Sequence, residues 1–179
     1  NAAKHYYFKS IKINPHISDA YFGLGTVYKR AQQWSEAQRY FLKAIDIDKY
    51  ESLYHIELAE VYLIMGNAEQ CFQHYKIAYE IDSDTVEILL DFAHAKFDLG
   101  LIEESVQLLL ENLENHDEDH RMYYRIASYC FTLGHYEKAY NFLHAALDMK
   151  PEEYILLYEF APFTENIENV SNIIDLYTK

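Results

Sequence analysis

Apolar residues return along this chain at the spacing of one helix face, and polar clusters interrupt them at regular distances. Tyr21, Leu24, Gly25, Tyr28 and Ala31 follow the i, i+3, i+4, i+7 pattern that lays an apolar stripe along a helix. Gln32-Gln33 breaks the stripe, and a second one runs through Ala37, Phe41, Ala44 and Ile45. The pattern predicts two short helices joined by a tight turn, with Ser35 placed to cap the second. Gly25 and Ala37 are small where the two backbones of such a hairpin approach most closely.

The hairpin is repeated. Gly25, Ala59, Ala93 and Ala127 stand 34 residues apart, and a fixed period of this length is the signature of a stacked helical array. Full units are expected over 18–51, 52–85, 86–119 and 120–153, the third being the most degenerate, with Lys96, Ser105 and Asn112 in columns held elsewhere by aromatic or small residues. Residues 1–17 match the second half of a unit and predict a helix to about residue 13, ended by Asn14-Pro15. After Pro151 a fifth copy begins, but Pro162 falls inside its first helix. A short helix ending near Ala161 and a last one over about 166–177 are expected, with Ile173 and Tyr177 in the columns of Ala139 and Leu143. The whole is expected to be one continuous domain, cut from a longer protein.

These columns resemble the tetratricopeptide repeat family. Tyr21, Leu24-Gly25, Tyr28, Ala37, Phe41 and Ala44 fit its 34-residue unit, as do Leu133-Gly134, Tyr136, Ala139, Ala146 and Pro151; Lys49, Ser83 and Asp117 stand where the family favours proline. The resemblance implies an all-α, right-handed superhelical solenoid whose first helices line a concave groove for a partner's peptide or helix. It implies no chemistry.

On that reading the groove is lined by Phe22, Ile56, Leu90 and Tyr124 in one column, by Gly23, Glu57, Asp91 and Arg125 in the next, and by Glu60, His94 and Arg121 beside them. The middle is acidic and partly apolar, and suits a segment with apolar anchors and one or two Lys or Arg. The same aromatic and aliphatic residues are also of the kind that pack between hairpins, with Arg121 and Arg125 paired to Glu87 and Asp91. Some members of the family clamp the acidic tails of chaperones with lysines, asparagines and an arginine. Here the matching places hold Phe22, Thr26, Glu57, Glu87 and Asp91, or one unit later Ile56, Glu60, Asp91, Arg121 and Arg125, of which only the two arginines suit a carboxylate.

A formal net charge of −14 argues against nucleic acid, which needs a basic stripe to displace counterions. Two distant cysteines, Cys71 and Cys130, form no disulfide framework and fall in packing columns. No apolar run is long enough to span a bilayer. His116 and His120 flank three carboxylates but fall in a turn with no fixed geometry, so no metal and no cofactor is expected, and His94 reads as a wall residue rather than a general base. Without a phosphate loop or a nucleophile–base pair, the chain reads as a protein-interaction module and not an enzyme. The alternatives are a self-associating structural array, or the sensor or recruitment domain of a larger enzyme. The expected compartment is the cytoplasm, and the oligomeric state is left open.

Overall fold

The structure is a computed structural model that describes residues 2–178; Asn1, at the start of the first expected helix, lies outside the described residues. The helices are α1 (Ala2–Ile13), α2 (Ser18–Arg30), α3 (Trp34–Ile47), α4 (Ser52–Ile64), α5 (Ala68–Ile81), α6 (Val86–Asp98), α7 (Ile102–Glu111), α8 (His120–Thr132), α9 (Tyr136–Met149), α10 (Ile155–Phe160) and α11 (Glu168–Thr178). The fold class is that of an all-α helical-repeat solenoid. The chain divides into two units, one ending at Ala95 and the other beginning at Lys96.

Four first helices end in the same way. The amide of residue 33, 67, 101 or 135 bonds to the carbonyl five residues back, at Tyr28, Tyr62, Lys96 and Cys130, with N···O distances of 2.9 to 3.0 Å. This wrapping bond needs a left-handed residue just before it. Gly66, Gly100 and Gly134 supply it at φ of 75° to 77°, and in the first repeat Gln32 takes φ 57° without being glycine. Ser35 is not the cap of α3: the helix starts at Trp34, and the Gln33 carbonyl already accepts the Ala37 amide at 2.9 Å. The turn is too tight to leave an extended residue for Ser35 to occupy.

In the first unit α2 pairs with α3 and α4 with α5. Leu24, Leu58, Ala59, Ala37, Cys71, Phe41, Tyr75, Ala44 and Ala78 are all buried, so the repeat columns are the core. Gly25 is indeed a point of close approach, but to Phe41: a Cβ there would come within 2.5 Å of the ring. Gly23 is the second such point, where a Cβ would fall 2.3 Å from the Tyr7 ring of α1.

In the second unit α8 pairs with α9 and α10 packs on α8. The departures of the third repeat are each compensated. Lys96 bonds to Glu104 at 2.7 Å, and the buried Ser105 hydroxyl donates to the Leu101 carbonyl at 3.0 Å. Asn112 donates to the Leu108 carbonyl at 2.9 Å. Asparagine competes with the backbone for such bonds, and α7 stops at Glu111 after 10 residues where α3, α5 and α9 each have 14. Pro162 ends α10 and opens a 3-10 turn over Pro162–Asn166. That turn shifts the register of α11, so the core is filled by Val170 and Ile174 rather than by Ile173 and Tyr177. Tyr177 instead meets His144, its hydroxyl 3.0 Å from Nδ1.

Candidate functional site

In the first unit, α2, α4 and the start of α6 carry the sequence-predicted residues. Phe22 is half-buried and shared between repeats, stacked on Tyr54 of α4 at 4.8 Å and tilted against Phe41 at 5.6 Å. The Tyr54 hydroxyl donates to Asp19 at 2.7 Å; burial and then this carboxylate push its pKa up to about 12. Ile56 and His94 are half-buried, Leu90 is buried and Asp91 is exposed.

The acidic pair of this face has a cation of its own. Lys29, at the last turn of α2, lies 2.8 Å from Glu57 and also bonds Glu60, both on α4. Burial works against the ammonium, but its hydrogen bonds to the two carboxylates outweigh that and raise its pKa. Lys29 lies beyond the predicted groove columns, and its own column continues with the uncharged Leu63, Phe97 and Phe131, so the period does not mark it. Tyr75 of α5, a residue of the packing columns, also feels this acidic charge. Burial pushes its phenol up, and the charges of Glu60, Asp91 and Glu57 push it further, so three carboxylates bear on one buried ring.

In the second unit Tyr124 is fully buried, its hydroxyl donating to the Lys150 carbonyl at 2.9 Å, so it contributes packing rather than exposed surface. Arg121 folds back on the cap of its own helix, with Nε and Nη2 at 2.9 and 2.6 Å from Asp119. Burial opposes the Asp119 charge, but these bonds outweigh it and hold its carboxyl below the usual range. The Arg125 guanidinium lies 3.5 Å above the Phe160 ring, and its Nη1 donates to the Tyr129 hydroxyl at 3.3 Å. A cation over an aromatic face is held by the ring quadrupole. Phe160 falls in the packing register of the fifth copy and Tyr129 in no predicted column, so neither was expected to meet Arg125.

The loop from Asn115 to Arg121 borders an open depression of about 710 Å³ with Lys150 and Glu153. His120 opens α8 and lies 2.8 Å from Glu153, which Lys150 also meets at 2.5 Å. Among the described residues no group of three or more His, Cys, Asp or Glu side chains is arranged to hold a metal ion.

Helix pairs at a 34-residue period, with glycine-type turns in fixed columns, are what the tetratricopeptide repeat family model describes, and it matches residues 18–50 and again 120–153. Residues 18–50 and 120–153 are tetratricopeptide repeats. Solved tetratricopeptide folds superpose on it. YrrB, described as a tetratricopeptide repeat protein with an unusual peptide-binding site, is 20% identical with a TM-score of 0.66, over 87% of this chain and 80% of its own. MamA is 13% identical with a TM-score of 0.70, over 84% and 88%. PilF of Pseudomonas aeruginosa is 20% identical with a TM-score of 0.61, over 89% and 74%. Identities this low establish the shared fold alone. Comparison with curated protein sequences gives no match. Tetratricopeptide repeats serve in general as non-catalytic scaffolds that bind proteins or peptides. No described helix is long and apolar enough to cross a membrane.

Proposed function

We propose that this tetratricopeptide array holds a peptide or helix of a partner protein against its first helices, and that the partner segment carries apolar anchors beside a Lys or Arg. The observation that carries this reading is the pair Glu57 and Glu60 on α4, which share the Lys29 ammonium, with Asp91 exposed on α6 and with Phe22 of α2 and Ile56 of α4 half-buried. Lys29 offsets part of that charge but is one cation between two carboxylates. A basic side chain beside them gains from all three acids, whereas an acidic tail would be repelled. YrrB, with its peptide-binding site, makes a peptide the natural form of partner. The two buried free thiols fit the cytoplasm.

The test is selection from a displayed random-peptide library, followed by calorimetry on the wild type and on a Glu57, Glu60, Asp91 triple Ala variant. Selected peptides should be basic and apolar and should bind the variant at least about tenfold more weakly. Equal affinity for both proteins would contradict the acidic face. A second reading, self-association, is favoured by α1, which buries no residue and leaves Tyr6, Phe8 and Ile13 exposed. A dimer that persists down a dilution series in sedimentation would support it.

A further inference from the structure

The second repeat contains a polar contact that the same columns lack elsewhere. His55 of α4 and His74 of α5 are buried, and their Nδ1 atoms lie 3.0 Å apart. By the 34-residue period the corresponding pairs are Tyr21 with Tyr40, Leu89 with Leu108, and Tyr123 with Phe142. The last of these is an ordinary ring contact at 6.0 Å. Only the second repeat replaces apolar packing at this helix crossing with two imidazoles.

The hydrogen bonding around the pair fixes its protons. His55 Nε2 lies 3.3 Å from the Lys49 carbonyl, which can only accept. His55 therefore carries its proton on Nε2 and presents a lone pair at Nδ1. Its partner must then donate, so His74 carries a proton on Nδ1. The chain runs one way, from His74 to His55 to the Lys49 carbonyl. Its second ring can accept no proton without placing two Nδ1–H groups face to face at 3.0 Å.

The surroundings offer a buried imidazolium no compensation. Tyr62 of α4 stacks flat on His74, with ring centroids 5.5 Å apart, and its hydroxyl accepts from Gln38 of α3 at 3.1 Å. The titratable groups about the opening beside His55 are Lys49 and Tyr50 before α4 and Glu80 on α5. Neither histidine has a carboxylate partner among the described residues.

We infer that the His55–His74 pair is a proton-sensitive pin between α4 and α5, which holds the second repeat closed near neutral pH and releases it on acidification. The direction follows from linkage. Burial pulls the His55 pKa down and that of His74 down to about 4, with His55 adding to the effect at His74. Unfolded histidine titrates near about 6.5. The contribution is complete above that value and is lost progressively as the pH falls through it toward the folded value.

The test compares thermal midpoints from pH 7.5 to pH 4.5 for the wild type and for a His55→Tyr, His74→Phe double variant, which copies the pair of the fourth repeat. The wild-type midpoint should fall by several degrees more than that of the variant, with the divergence opening below about pH 6.5. Parallel curves would overturn the inference. Nitrogen-15 imidazole spectra of the wild type decide the matter independently of how the variant folds. They should show His55 protonated on Nε2 and His74 on Nδ1 at pH 7, with His74 still neutral at pH 5. Two Nε2–H tautomers, or both rings titrating near pH 6.5, would refute it.

Discussion

The Lys29 ammonium lies 2.8 Å from the Glu57 carboxylate of the next repeat, so the acidic strip of the first unit carries its own counter-ion. The two side chains are about one-fifth exposed, 20% and 22%, which weakens solvent screening without removing it. Lys29→Ala leaves Glu57 and Glu60 facing each other unneutralised. It should cost about 1 kcal/mol in urea unfolding, within the range for a partly exposed pair, and more at low salt than at high salt. The same variant should bind a basic peptide more tightly. Unchanged stability together with unchanged affinity would remove Lys29 from the site.

Gln32 occupies the turn column that holds Gly66, Gly100 and Gly134 in the other repeats, at φ 57°. A side chain in the left-handed region costs roughly 1 kcal/mol. Gln32→Gly should therefore stabilise by about 0.5 to 1 kcal/mol, and Gly134→Gln should lose a similar amount. Denaturant midpoints check both, and the expected shifts are opposite in sign.

At Gly23 an added Cβ would fall 2.3 Å from the Tyr7 ring. One side must yield, and α1 has no buried residue to hold it. Gly23→Ala should release α1 while leaving α2 to α5 folded, at a cost within the roughly 1 to 3 kcal/mol of overpacking. Hydrogen exchange should show faster amides in α1 and unchanged protection in α4 and α5.

Both thiols should be slow. Burial, with Glu60 adding to it, pushes the Cys71 pKa up to about 12; burial also raises that of Cys130, against a small opposing effect of Lys138. Reaction with a disulfide reagent at pH 8 should be slower than that of free cysteine by on the order of 100-fold, because the thiolate is the reacting form, and should become rapid in urea. Fast labelling of the folded chain would mean that these columns open.

The packing columns were legible because a repeat presents the same constraint four times: Ala59, Ala93 and Ala127 are buried in the register that the 34-residue period assigns. The site was less legible. A column identifies which residues share a helix face, but not how long side chains reach across to the next repeat. Lys29 meets Glu57 and Glu60 across 28 and 31 residues, and Arg125 meets Phe160 across the irregular end of the chain, where no period applies. The His55–His74 contact was open to the same reading, since both positions lie in columns held elsewhere by Tyr, Phe or Leu, but an unmatched histidine pair in the sequence does not announce a bond. The shift in α11 followed from the 3-10 turn after Pro162, whose length proline alone does not set.

The claim that a partner segment lies on the first helices is tested most directly by amide chemical-shift mapping, with a selected basic peptide titrated into the labelled chain. Perturbations should concentrate on α2, α4 and the start of α6, strongest near Phe22, Ile56, Glu60 and Asp91. Perturbations confined to α3 and α5, with those residues unmoved, would contradict it.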